Sequence, residues 1–368
     1  MGYVAIRGGE QAISQAQGLL EFLRARGGSE ASLDHEMISS QLWALHSRAL
    51  SEGGIYDPKL ASLAIKQSGG DMLEAAFYLR AYRSTRPRLG QTPAHTTSKM
   101  RVIRRISSAF KSVPGGQMLG PTPDYVQRLF RIALLEESGD ALKEITQEWL
   151  SDLPADELPD TFPKVVDALR EEGLLAPTEP VDHEPFDITR EPLVFPLPRS
   201  ASLATMARAE TGSILTLAYS NMRGYGDVHP TVAELRVGYV PVELPHPVTG
   251  ELIEAGEVLM TECELVAMHY KDDKDSLPVF GLGYGACFGH NEVKAISMAV
   301  LDRAMQKGSA TGADNPSEDQ EFVLLHIDGV ESMGFCTHYK MPHYVTFQSD
   351  LDRLRAAQES HQSEAPVS

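Results

Sequence analysis

Between Gly334 and Phe347 the sequence places two imidazoles, one thiol and a proline inside eight residues, from Cys336 to His343. His338 and His343 are five positions apart. At roughly 100° per residue, five helical steps leave two side chains about 140° apart around a helix. On a strand an odd spacing sends them to opposite faces. Pro342 lacks an N–H and biases Met341 toward an extended backbone, so a turn between the rings is the simplest arrangement. A turn brings both rings onto one point, a partial zinc site with Cys336 as a candidate third ligand. The plainer alternative is a pair of loop histidines with Tyr339, Tyr344 and Phe347 packed nearby. Zinc patterns usually supply three or four ligands, so spacing alone leaves both open.

A second constellation is Met260-Thr-Glu262-Cys-Glu264. Strand alternation puts Glu262 and Glu264 on one face, with Leu259, Cys263 and Leu265 on the other. Paired carboxylates can divide the work, one raised in pKa to give a proton, the other held ionised against a metal or a cationic centre. A solvated strand face is the alternative. Val113-Pro-Gly115-Gly116-Gln-Met-Leu-Gly-Pro is a glycine turn, preceded by Arg104, Arg105 and Lys111 and expected to precede a helix. N–H groups at such a turn favour phosphate, but the spacing fits no phosphate loop. Arg223-Gly-Tyr-Gly-Asp-Val-His229 offers an anion grip, or a tight turn with an aromatic plug. Gly281-Leu-Gly-Tyr-Gly-Ala-Cys-Phe-Gly289 misses the dinucleotide fingerprint, although a phosphate contact there stays open.

The elements that must position these groups divide in two. Residues 1–83 read as a helical region, with helices over 10–26 (one face buried), 32–52, from Asp57-Pro58 onward, and from Asp71 to Arg83. Residues 84–100 read as a linker or surface loop. Residues 101–200 read as a helical middle, including a helix from Thr122 or Asp124 to Glu137. It ends in a segment holding Pro177, Pro180, Pro185, Pro192, Pro196 and Pro198 that should wrap over the body. Residues 201–350 form a mixed α/β domain with a largely antiparallel sheet. Its candidate strands are Ile214–Ser220, Ala233–Val242, Glu257–Met268, Val279–Tyr284 and Glu321–His326, with a helix over 291–307. The end of a helix from Ser349 and a disordered tail occupy 351–368. The class is α+β.

Composition sets the limits. With 368 residues, 42% hydrophobic and 23% charged, the chain can bury a sizeable core. Its net charge of −18 disfavours nonspecific nucleic-acid binding and anionic membranes. An anionic substrate must therefore be met by locally placed cations or metal. Cys263, Cys287 and Cys336 form no C-x-x-C pair, so no self-contained iron–sulfur cluster is expected. No run reaches transmembrane length, and a soluble, cytoplasmic protein is the expectation.

Several blocks in order resemble one family. They include Tyr-Val-Ala-Ile-Arg-Gly-Gly-Glu (3–10), Glu-Gly-Gly-Ile (52–55), Phe-Tyr-Leu-Arg-Ala-Tyr-Arg (77–83) and Pro-Gly-Gly-Gln-Met-Leu-Gly-Pro (114–121). Asp-Ile-Thr-Arg (187–190), Arg-Gly-Tyr-Gly (223–226), Leu-Met-Thr-Glu-Cys-Glu (259–264) and His-Tyr-Lys-Met-Pro-His (338–343) continue the series. Together they resemble the I subunit of the bacterial carbon–phosphorus lyase system, the PhnI family. The resemblance implies an α-D-ribose 1-methylphosphonate 5-triphosphate synthase subunit that displaces the purine of MgATP or GTP with an alkylphosphonate. It also implies an intrinsic purine-nucleotide nucleosidase activity. Implied partners are the G, H, J and L subunits in a self-associating hetero-oligomer, the J subunit holding the iron–sulfur cluster. Implied metals are Mg²⁺ with the nucleotide and Zn²⁺ at His338 and His343, near the J subunit. For the base displacement, residue type points to Glu262 and Glu264 at the reacting sugar and purine. It points to Lys111, Gly115, Gly116, Arg223 and His229 at the triphosphate and phosphonate. The competing expectation is a scaffold that organises the complex without catalysing.

Overall fold

The computed structural model of the chain describes residues 9–28, 32–151, 159, 161–177, 184–225, 230–269 and 277–364. The class is α+β, as expected: helices dominate the N-terminal part, and a four-stranded antiparallel sheet follows in the order β1-β2-β3-β4. The strands are β1 (Arg101–Ile106), β2 (Thr231–Pro245), β3 (Leu252–His269) and β4 (Val279–Phe288).

Four helices build the N-terminal unit: α2 (His35–Gln41), α3 (Trp43–Gly53), α4 (Pro58–Gln67) and α5 (Met72–Ser84). Asp34, Asp57 and Asp71 each cap one of them, accepting a backbone N–H of the first turn. The helix expected over 32–52 is split at Leu42 and starts at a cap on Asp34. Ile38, Leu50, Ile65 and Leu79 form the core of this unit, and Tyr56 and Phe288 join it to the sheet. The Leu259 N–H donates to the Tyr56 hydroxyl at 2.8 Å, tying the two parts.

Ahead of these lies α1 (Glu10–Ala25), which forms as expected but buries none of its residues. Its apolar stripe, including Leu19 and Leu20, faces outward, so the expected buried face is overturned within this chain. Tyr3–Ile6 lies outside the described residues.

One sheet face packs on α8 (Arg199–Arg208), α9 (Thr211–Ser220) and α10 (Glu292–Thr311). Leu235, Cys263, Leu265 and Cys287 meet Ala295, Met298 and Ala299 there in the main core. The alternate glycines of β4 explain how close α10 comes. A Cβ on Gly285 would stand 2.1 Å from the Ala295 carbonyl oxygen, and one on Gly283 2.2 Å from that of Ala299. The glycine-rich run is thus a strand made smooth for a helix.

Two short apolar runs expected as strands are helices. Ile214–Ser220 lies in α9, where the Glu210 carboxylate accepts from Gly212 N at 2.8 Å and Ser213 N at 2.6 Å. Glu321–His326 lies largely in α11 (Gln320–Leu325), capped by Asp319. Each run buries only one stripe, and such short apolar windows fit either period until a cap decides. The helix expected over 122–137 does not form. Arg128 takes a positive φ of 59°, and Arg104 Nη2 draws Asp124 aside at 2.5 Å. Only a 3₁₀ turn at Ile132–Glu136 remains before α6 (Gly139–Ser151). After it comes α7 (Val165–Glu171), and Gly173 follows its end with φ 71°.

The proline-rich segment from 184 onward wraps as expected, with Phe186, Ile188 and Phe195 against the main core. The chain closes with α12 (Gly329–Tyr339) and α13 (Tyr344–Glu364), the latter starting earlier than the expected Ser349.

Candidate functional site

The face of the sheet turned away from α10 carries a buried array of charges. A bulge between Val232 and Glu234 sets Glu234 and Arg236 on that face, opposite Glu264 and Glu262. Arg105 of β1 reaches Glu234, and Arg236 reaches the Glu262 Oε2 through both Nη2 and Nε, the latter at 3.2 Å. Lys164, held at the start of α7, donates to Glu262 Oε1 at 3.0 Å and to Glu264 Oε1 at 2.8 Å. Thr97 Oγ1 and the Tyr284 hydroxyl complete the Glu262 shell at 2.7 and 2.8 Å. Three carboxylates therefore face three cations, roofed by two small apolar patches around Val166 and Phe162.

This arrangement separates the two glutamates named from sequence. Burial alone would raise Glu262, but Arg236 and Lys164, with hydrogen bonds from Thr97 and Arg236, hold it at about 2. Glu264 goes the other way. Burial pushes it up, the Lys164 charge only partly opposes this, and the Glu262 charge adds to the rise. Its Oε2 is buried without a hydrogen-bond partner among the described residues, as is Arg236 Nη1. The pair thus consists of a fixed anion and a carboxyl readier to hold a proton. Lys164, with 18% of its side chain exposed, is the most open member of the ion-paired set.

The lowered pKa of Glu262 is also a statement about acid stability. In the unfolded chain the carboxyl returns to about 4.5, so its contribution is fully present above that value and is lost as pH falls toward 2. Between pH 4.5 and 2, urea unfolding should show native protein losing stability more steeply than a Glu262→Gln variant. Parallel curves would contradict this.

A cavity of about 580 Å³ lies against β3 and β4, and none of the array's charged side chains lines it. Ala286, the register partner of Glu262, and Met260, two residues along the same face, line it. Its other walls include Ser51, Phe186 and Arg208. Ligand pockets of small molecules fall in this range. Arg83, Arg88 and Arg208 also wall a cleft of about 550 Å³ that is lined as well by Arg80, Arg86 and Arg190. Six arginines in one cleft stand out in a chain of net charge −18.

Other sequence candidates lie elsewhere. Gly115 and Gly116 both have positive φ, as a glycine turn requires, but no helix follows them. Arg105 Nη1 donates to the carbonyls of Pro114 and Gly116 at 2.6 and 2.8 Å, and Nη2 to that of Pro163 at 2.7 Å. The turn therefore clamps the loop ahead of Lys164. Lys111 is exposed. Arg223 follows a helix rather than a strand, donates to the Tyr219 hydroxyl at 3.1 Å, and lines neither cavity. His229 lies outside the described residues.

Thr97, Lys164, Arg236 and Tyr284 were not singled out from sequence, nor were the cleft arginines. A usable signal for the latter was Arg80, Arg83, Arg86 and Arg88 recurring within nine residues of an acidic chain.

His338 ends α12 and His343 precedes α13, so the expected turn lies between them. Their Nε2 atoms are 3.1 Å apart, and His343 Nδ1 lies 2.6 Å from the Met341 carbonyl. That contact fixes Nδ1 as the protonated nitrogen and leaves Nε2 free as a ligand. Two nitrogens on one tetrahedral zinc stand about 3.3 Å apart, from Zn–N of about 2.0–2.1 Å, so the pair fits two corners of such a site. No group of three or more His, Cys, Asp or Glu suited to a metal occurs among the described residues. Cys336 is exposed two helical positions from His338, on another side of α12.

A family model described as bacterial phosphonate metabolism protein (PhnI) matches residues 2–361. The chain belongs to the PhnI family. Among PhnI relatives, a protein of Stutzerimonas stutzeri named as C-P lyase subunit protein HtxH is 67% identical over 360 residues, covering 98% of this chain and 96% of the relative. The alpha-D-ribose 1-methylphosphonate 5-triphosphate synthase subunit PhnI of Escherichia coli K12 is 43% identical over 358 residues, covering 97% and 98%. The subunit of that name from Rhizobium meliloti is 41% identical over 362 residues, covering 98% and 95%. The resemblance read from the sequence blocks is correct, and this chain is similar over nearly its whole length to subunits of a multi-subunit enzyme.

Proposed function

We propose that this chain is the subunit of an α-D-ribose 1-methylphosphonate 5-triphosphate synthase in which an alkylphosphonate displaces the purine of MgATP or GTP. The supporting observation is the arginine-lined cleft and the cavity that shares its walls, whose Met260 and Ala286 neighbour the Glu262–Glu264 array along the sheet. A nucleoside triphosphate has the matching polarity: a sugar that becomes cationic as its base departs, and a tail of negative charge.

In the reaction a phosphonate oxygen bonds to C1′ as the C1′–N9 bond breaks, through an oxocarbenium-like state. The electron pair of that bond leaves with the purine, which takes up a proton. Glu264 is the candidate donor of that proton, and Glu262, fixed as an anion, contributes negative potential at the sugar end. Mg²⁺ enters with the nucleotide and shares its charge with the tail. With water in place of phosphonate the same path gives nucleosidase activity.

Full-length chain, alone and with its co-expressed G, H and L subunits, should release guanine or adenine from GTP or MgATP. Methylphosphonate should divert the ribosyl triphosphate into a new ³¹P-visible product only with the partners present. No base release in either preparation would favour the non-catalytic scaffold. Exposed Phe335, Tyr339, Tyr344 and Phe347 around the histidine pair, and exposed Phe130 and Trp149 on the middle segment, support partner contacts in both readings.

We place Zn²⁺ at His338 and His343, with remaining ligands from a neighbouring J subunit, water or substrate. A metal bound there would supply a Lewis acid and a tie between chains. Complexes carrying His338→Ala and His343→Ala should lose their zinc by elemental analysis; unchanged zinc content would remove the site.

A further inference from the structure

We propose that Arg83 and Arg208, flanked by Arg88, form a seat for a polyphosphate chain, which on the functional reading above is the triphosphate tail of the nucleotide. Of the six cleft arginines, two are fully engaged. Arg80 donates to Asp328 at 2.7 Å, to the Glu52 carbonyl at 2.9 Å and to the Arg208 carbonyl at 2.6 Å. Arg88 donates to Asp187 at 2.5 Å and to Thr189 Oγ1 at 3.0 Å. Arg190 stands 3.9 Å from Asp187, and Arg86 lies over the Tyr82 ring, 4.4 Å from its centre.

Arg83 and Arg208 differ from these. Both are half-buried and line both cavities, and neither guanidinium has a hydrogen bond or ion pair among the described residues. Half-buried guanidinium groups without carboxylates are costly, and two side by side repel. Burial, then the charges of Arg80 and Arg83, push the Arg208 guanidinium down against the weaker pull of Asp328 and Glu331.

The backbone is shaped to keep the two together. Gly54 closes α3 with φ 64°, and a Cβ there would stand 3.1 Å from Arg208 Cδ and 3.4 Å from Arg83 Nη1. A glycine at this point leaves both heads room at the junction of the two cavities. Paired forks of five N–H donors each suit phosphoryl oxygens spaced along a chain, and among the described residues neither guanidinium is ion-paired to a carboxylate.

The test is direct binding, separate from turnover. Inorganic tripolyphosphate is titrated into the full-length chain by calorimetry, with GTP and methylphosphonate as further arms. Native protein should bind tripolyphosphate and GTP, and Arg83→Met and Arg208→Met should each weaken both by tenfold or more. Arg353→Ala, on exposed α13, should not. Thermal unfolding without ligand confirms that the variants are folded; should Arg208→Met be unfolded, Arg83→Met decides alone. Native-like affinity in the folded variants would overturn the seat. Methylphosphonate binding as tightly, and lost in the same variants, would overturn its assignment to a polyphosphate tail. Tripolyphosphate binding that depends on both arginines, in a protein that never releases base, would uphold the seat and sink the base-displacement reading.

Discussion

Glu262→Ala should destabilise the protein by about 3–5 kcal/mol, the usual cost of removing one partner from a buried ion pair. Its carboxylate is 2% exposed and is the common acceptor for Arg236, Lys164, Thr97 and Tyr284. Removing it strands Arg236, itself 1% exposed, which already carries one unpartnered nitrogen. The loss is read from the urea midpoint at pH 7. Glu262→Gln keeps the volume and one acceptor oxygen and should fall between alanine and native. A Glu262→Ala midpoint equal to native would show that the array carries no stability at this position.

Glu264→Gln should do the reverse, leaving stability near native and removing activity. Burial shifts this carboxyl toward its neutral form against the Lys164 charge, so the amide replaces it at less cost than at Glu262. A lost general acid typically lowers the rate by 10²–10⁴. The expected outcome is a fall of that size in kcat for base release, with KM near its native value. Folded protein that releases base at the native rate would dismiss Glu264 as proton donor. Measuring both variants tests the proposed division, in which Glu262 mainly supports the fold and Glu264 gives the proton.

Much of this was legible from the residues. Strands β2 to β4 announced themselves by alternation, which also set Glu262 and Glu264 on one face. Their burial was not legible, because it depends on Arg236 through strand register and on Lys164, 98 residues from Glu262. Strand β1 was read only as a basic run. Its Arg104 and Arg105 look like surface charges until Asp124, Glu234 and the glycine-turn carbonyls are brought to them. The arginine cleft escaped for the same reason: its walls come from α5, the segment after it, the proline-rich wrap and the end of α8. By contrast, the turn between His338 and His343 followed from local geometry and Pro342 alone.

Arg80 also fixes a length. Its guanidinium holds Asp328, the residue that caps α12 by accepting from Val330 N at 3.0 Å. Gly329 packs that end tightly, since a Cβ there would meet Leu73 and Glu210 at 2.7 Å. From this footing α12 projects outward with His338 ten residues on, about 15 Å away at the rise of a helix. The helix works as a ruler between two stations. On the two proposals above, a phosphate gripped near its base and a metal held at its tip would not share a ligand atom. On the function proposed above, a product formed in the cleft would have to be handed along, or across to a neighbouring chain, before the histidines could touch the same atoms.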